Sequence, residues 1–505
     1  MTQITTSKQE DFLQRAAIDQ SVKLPILFYF FSSVAWLLIA SLLGLISNIK
    51  LHDPDFLNCK YLWFLNYGRL APAQSTAFIY GWCLQAGMAT SLWLMARLSR
   101  VLLKSTGFLG SGTIIFSGLV WNITLTFGVF LIFAGEGVSY KWLEFPKFVG
   151  PILLLSFLPV ALNVGNMYKL KRIEVFISQN YLLGAALWFP WILITAMILI
   201  QFQTGGGVAV ASTNAWYNGT LLLLYFVPIG LASIYYFLPK ILGRPIHSYQ
   251  LANLGFWGLA ILGAWTGMQH YMGGPLPEWM PAVSGFAIFL LLLPASAVAM
   301  NHHLTTRGKH GVVQYSPTLR FTIFGAVSYT IMSLLAAILA IPSIVKYTQF
   351  THADTAFDFL SLYGFFSFTM FGAIYFIVPR LTGCEWLSRR FIRLHFWFST
   401  YGIVTLVIVS LIGGFFQGAS INNPENWNQS IIASVVNSNG YLTGRSLAWA
   451  FILFSNSIFF LHLLLMILGL GRRTMQPTLL HEHQEANDHN LSIIETPYQA
   501  EGGHV

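Results

Sequence analysis

Residues 215–240 read AWYNGTLLLLYFVPIGLASIYYFLPK, a run whose only formal charge is the terminal Lys240. A helix needs about 20 mostly apolar residues to cross a bilayer core, so this stretch is a membrane span with a basic flank. The same test applied outward along the chain finds twelve runs, at roughly 24–48, 73–95, 108–133, 148–167, 181–201, 215–238, 249–269, 281–300, 321–345, 357–379, 395–417 and 445–470. The whole composition agrees. Of 505 residues 55% are hydrophobic and 9% charged, where soluble domains carry about a quarter charged residues. Aromatics at 16% suit a helical bundle with rings in its interior and at the headgroup level. The expected fold is therefore an all-α integral membrane protein of twelve transmembrane helices.

Several classes are excluded at this level. Cys59, Cys83 and Cys384 are too few for a disulfide framework or a thiolate cluster. The net charge of +9 is spread between apolar runs, with no basic face to follow a phosphate backbone, so no nucleic acid is expected. No Walker or dinucleotide fingerprint is present, so no nucleotide is expected either. Membrane lipid is the first partner.

Three segments are expected: a polar cytoplasmic N-terminal piece over 1–23, the membrane domain over 24–472, and a polar cytoplasmic tail over 473–505. The first piece lacks the pattern of a cleaved signal. With the N-terminus inside, 20 Lys and Arg fall on the cytoplasmic side and 7 on the other. By the positive-inside rule both termini are cytoplasmic, in an inner membrane. His481, His483 and His489 of the tail are read as solvated.

Ionisable groups at span depth are costly and mark function. His270 and His462 lie within or at the edge of spans, and His270 with His352 is the best imidazole pair near one membrane face. Asp358 reads either as a proton or cation site or as an acid at a helix N-terminus, beside Asp354 and Thr355, where the dipole favours it. Met268 and Met272, flanking His270, read as packing. Gln74, Thr76 and Gln85 read as interhelical hydrogen bonders, and Glu136 as solvated.

Further motifs stand beside the first: GRPIHSYQLANLGFWG at 243–258, AWTGMQHYMGGPLPEW at 264–279, FGAIYFIVPRLTG at 371–383, LHFWFSTYGIV at 394–404, GGFFQG at 413–418 and NYGRLAPAQSTAF at 66–78. Together, from about residue 60 to 470, they resemble the catalytic subunit of the C-family haem–copper oxidases, the cbb-type cytochrome c oxidases. The resemblance implies haem b, copper and six ligating histidines. Carried over one by one, the low-spin haem ligand of the second span falls on Gln74. The copper ligand of the sixth span falls on Gly219, and the adjacent copper pair on Gln269 and His270. The two haem ligands of the tenth span fall on Phe357 and Phe359, with Asp358 between them. The family's Glu-Gly-Pro falls on Leu335, Ala336 and Ala337, and its copper-site tyrosine on Tyr249.

One imidazole of six remains, at His270. Phenylalanine has no lone pair for iron, and glycine has no side chain. The expectation is thus an oxidase-like subunit without cofactors, structural or regulatory, beside other respiratory subunits or a c-type cytochrome. One alternative is an active terminal oxidase or nitric oxide reductase holding haem and copper. The other is a metal binder or ion or proton conductor that uses the vacated cavity, with His270, Gln269, Met272, His352 and Asp358 near one face and Tyr249 as a further polar group.

Overall fold

Inside a bilayer every backbone N–H and C=O must be paired within its own segment, which favours long uninterrupted helices. The computed structural model of the chain follows that rule. It describes residues 2–471 apart from 59–61, 63, 105, 108, 173, 203–205 and 424–430. The tail 473–505 with its histidines, Arg472, and Cys59 and Lys60 lie outside the described residues.

Eleven helices of the described residues are long and apolar enough to cross a membrane. In chain order, counting one further helix as α2, they are α1 (Thr2–His52), α3 (Ser111–Ala134), α4 (Val149–Lys169), α5 (Ile177–Gln201), α6 (Gly207–Leu242), α7 (Tyr249–Tyr271, ending in short 3₁₀ turns), α8 (Trp279–Thr306), α9 (Pro317–Leu339), α10 (His352–Thr382), α11 (Arg389–Asn422) and α12 (Asn439–Ile467). The expected span at 73–95 is α2, unbroken helix over 67–99. It is not among the eleven, and its surroundings explain why. From Ala77 to Ala96 every residue of α2 is buried, so protein rather than lipid surrounds it, and Gln74, Thr76, Gln85 and Thr90 are accommodated. The segment expected as a separate polar piece over 1–23 continues α1 without a break from Thr2.

Burial sorts the helices. The most apolar stretch of α10 is wholly buried and that of α6 is 89% buried, against 33–56% for the other nine. So α2, α6 and α10 form the interior and the rest surround them. These three inner helices each widen into a π-helical stretch, at Ala77–Cys83, Leu222–Phe226 and Leu360–Ser367; α5 carries another at Met197–Gln201. Such wide turns often mark functional positions in helices.

Buried polar groups tie the bundle together in pairs. Gln85 accepts from Ser32 of α1 at 2.6 Å and from Asn122 of α3 at 3.0 Å, as the sequence led us to expect. Trp82 donates to Ser367 across α2 and α10 at 2.7 Å. Tyr363 of α10 donates to Asn456 of α12 at 3.0 Å, and Asn456 donates to Ser41 of α1 at 2.8 Å. Between these bonds the interior is filled by rings, as where Phe321, Phe371, Tyr375, His395 and Phe459 meet.

Candidate functional site

The end of the bundle where α1 stops at His52 is called the distal end. There the segment 135–148, between α3 and α4, is laid across two inner helices. Tyr80 of α2 donates to the Trp142 carbonyl at 2.8 Å, and Asn214 of α6 donates to the Lys141 carbonyl at 3.0 Å. Lys141 is thereby brought to α10, where its ammonium lies 2.6 Å from Asp358 Oδ2. One turn earlier on α10, Asp354 Oδ1 lies 3.7 Å from His270 Nδ1. Burial works against the charged form of Lys141, but Asp358 and Asp354 outweigh it and hold the ammonium above its ordinary range. The observed role of Asp358 is thus an ion pair.

Two cavities flank this pair, and Lys141, Trp142 and Asp358 line both. The larger, about 720 Å³, lies among α1, α2, α10 and α12, with Gln74, Phe78, Phe359, Arg69 and Arg445 on its walls. The smaller, about 240 Å³, lies among α6, α7, α8, α9 and α10, with Gly219, Gln269, His270 and Phe357 on its walls. Residues far apart in the chain therefore sort onto two sides of α10: Gln74 with Phe359, and Gly219, Gln269 and His270 with Phe357.

Two residues named with Asp358 as a possible ion or proton site, Tyr249 and His352, are not brought to it. Tyr249 is the first residue of α7, 41% exposed. At 1.5 Å per residue it stands about 30 Å from the His270 end of that segment. His352 faces away from His270: its Nδ1 accepts from Arg445 of α12 at 3.0 Å, and its backbone N–H donates to Gln417 of α11. His462 belongs to the opposite end, where the Ser388 N–H donates to its Nε2 at 3.3 Å. Glu136 is exposed, as expected.

Residues 25–489 match the family described as cytochrome c and quinol oxidase polypeptide I. The chain belongs to this family. Among curated relatives, the cytochrome c oxidase subunit 1 homolog of Agrobacterium tumefaciens is 25% identical over 407 residues, covering 76% of this chain and 72% of the relative. The bacteroid homolog of Bradyrhizobium diazoefficiens is 27% identical over 414 residues, 78% and 72% of the two chains. A cbb3-type cytochrome c oxidase subunit of Stutzerimonas stutzeri is 25% identical over 422 residues, 80% and 86% of the two chains. A heme-copper terminal oxidase dimer solved by cryo-EM shares the fold at a TM-score of 0.65 and 12% identity, over 93% of this chain and 90% of that one.

The oxidase family normally binds haem and copper, so the donors at these positions decide whether such groups fit. Haem iron takes imidazole, thiolate, thioether or phenolate. On the larger cavity the positions carried over from the resemblance present the Gln74 amide and the Phe359 ring, and no His, Cys or Met of the described residues lines it. Phe359 stands edge-on to Trp449 at 5.1 Å and beside Phe78 at 5.9 Å. On the smaller cavity Gly219, the position that the resemblance assigns to copper, is packed against backbone. A Cβ on Gly219 would lie 2.9 Å from both the nitrogen and Cα of Gly267, and 3.0 Å from the Thr266 carbonyl carbon. The Gln269 side-chain oxygen accepts from the Gly267 N–H at 2.8 Å and from the Ser284 hydroxyl at 2.7 Å, so it staples the same turn. No group of three His, Cys, Asp or Glu among the described residues is placed to hold a metal. These residues do not make a donor set for ligated haem or for copper.

Sequence reasoning passed over Arg69, Lys141, Glu144 and Arg445. A signal was present in the charge distribution. Only seven basic residues were assigned to the distal side, and three of them line one cavity. Glu144, 8% exposed, lines it too, and its Oε2 has no hydrogen-bond partner among the described residues. Burial pushes its carboxyl up to about 7, against the lowering effect of nearby backbone N–H groups, Ser75 and Lys141.

Proposed function

We propose that this chain is a redox-inactive member of the oxidase family, kept as a structural or regulatory subunit of a respiratory membrane complex. The observation that supports the reading first is the Gly219–Gly267 contact: at the position carried over for a copper imidazole, a side chain would meet backbone. Gln74, Phe357 and Phe359 support it, since an amide and two phenyl rings stand where iron would seek imidazole. In the same reading the chain lies in an inner membrane with both termini cytoplasmic, as the 20 to 7 distribution of Lys and Arg favours. Its partners are other respiratory subunits or a c-type cytochrome.

The test is a reduced-minus-oxidised spectrum and a pyridine haemochrome assay on the folded chain purified in mild detergent. Haem near zero per chain is the expected outcome. One or two haems per chain, or cyanide-sensitive oxygen uptake from a reduced cytochrome, would overturn it.

A second reading, a cation or proton path through the smaller cavity, is favoured by Asp354, Asp358, His270 and Lys141 meeting at its mouth. Proteoliposomes loaded with a pH dye would show a flux that Asp358→Asn abolishes. No flux above protein-free vesicles removes this reading.

A further inference from the structure

Arg445 is 6% exposed and lines the larger cavity from α12. One terminal nitrogen donates to His352 Nδ1 at 3.0 Å, a bond that needs a neutral ring at that atom. Its Nε has no hydrogen-bond partner, and no carboxylate among the described residues lies within ion-pair distance. A buried cation without a counter-ion is strongly unfavourable in a protein interior. Asp358, one of the two carboxylates on these walls, is held by Lys141. Burial raises the carboxyl of Glu144, the other acid on these walls, to about 7. The cavity therefore presents Arg445 without a matching carboxylate.

One part of its surface is apolar, formed by Leu51, Phe78, Ile79, Phe359 and Leu362, beside polar Ser47, Asn48, Gln74 and Ser75, while Asn66, Tyr67 and Gly68 on its lining are exposed. At about 720 Å³ it has room for roughly two dozen water volumes, far more than one small inorganic anion fills. We propose that this cavity binds an anionic amphiphile, with a carboxylate or phosphate head paired to Arg445 and its chain along the Phe78–Phe359 wall. The inference rests on the cofactor-free reading above, because a haem in this space would exclude it.

The test uses the full chain, delipidated in a neutral detergent and first assayed for haem. Oleate and dioleoylphosphatidylglycerol are titrated separately, with dioleoylphosphatidylcholine and inorganic phosphate as controls, and binding is read by thermal shift and native mass spectrometry. Oleate, phosphatidylglycerol or both are expected to raise the melting temperature and co-purify at one per chain, while the controls do neither. Binding of oleate alone assigns a free fatty acid, and binding of phosphatidylglycerol assigns a lipid headgroup. Arg445→Gln should weaken binding at least tenfold and Arg445→Lys by less. Ala71→Phe, which fills the cavity without touching its charges, should abolish binding and serves if Arg445→Gln fails to fold. A haem-free chain that ignores both anions, or that binds them equally after Arg445→Gln or Ala71→Phe, overturns this inference alone. Haem recovered at one per chain overturns the cofactor-free reading along with it.

Discussion

The two distal cavities share a wall at Lys141 and Asp358 but are built in opposite ways. In the smaller one backbone packs on backbone: Gly219 meets Gly267, whose φ of +107° and contact with the Ala215 carbonyl leave no room for a side chain on either residue. The larger one is open, with buried charges on its walls. A two-residue turn is enough to close the space beside one glycine. A space of several hundred cubic ångströms between four helices closes only if the helices move, and the ring contacts and polar ties of the interior hold them apart.

That contrast is open to attack at each cavity and at the wall. Gly219→His is the strongest attack, because the new side chain must displace backbone at 266–267. It should cost about 3 kcal/mol or more and restore no copper binding. Gly219→Ala should also lower the melting temperature, the reverse of the gain of about 1 kcal/mol that this change gives in an open helix. Melting curves in detergent decide the matter; unchanged curves for both variants would mean that the 266–267 turn yields and the smaller cavity can open.

In the larger cavity Glu144 supplies a pH-dependent handle. Its carboxyl sits at about 7 when folded, against the ordinary 4.5, so between those values the folded chain holds a proton that the unfolded chain releases. Stability from this group is therefore full below about 4.5 and is lost as pH rises through 7. Glu144→Gln should melt higher than the parent at pH 8, by about 2–3 kcal/mol, with most of the gain gone at pH 5. A constant difference across that range would show that Glu144 is already ionised in the fold.

The wall gives the smallest effect. Lys141 is 43% exposed, so water and salt screen its pair. A double-mutant cycle of Lys141→Met with Asp358→Asn should return a coupling of about 1 kcal/mol that shrinks as salt is added. A coupling of zero would mean that the pair does not separate the cavities energetically.

Much of the fold was legible because membrane spans are written locally. Twenty apolar residues announce a helix wherever they pack, and all twelve runs are helical for most of their length, the run at 249–269 breaking at 266–267 and that at 321–345 at 340–341. The one outside the eleven helices apolar enough to cross is α2, whose Gln74 and Gln85 are buried among protein. At the site, Gln74 and Phe359 line one cavity and Gly219 and Phe357 the other, a sorting that only the packing of the helices makes. Tyr249 and His352 are not brought to Asp358. Both lie near helix ends, where a shift of one turn or half a rotation sends a side chain to another neighbour, and sequence spacing alone does not fix either.

The sequence by itself determined that this is a many-span helical membrane protein of oxidase type, and placed Gln, Gly and Phe at five of the six positions carried over from the resemblance. Those are properties of residue identity and of short-range hydropathy. The tertiary structure alone decided that Gly219 is sealed by Gly267, that Lys141 closes onto Asp358, and that Arg445 stands buried without a carboxylate. Each depends on segments dozens to hundreds of residues apart crossing at one point. Burial turns such a crossing into an ion pair, a closed turn or an unmatched charge, because in low dielectric the partner within a few ångströms outweighs everything farther along the chain.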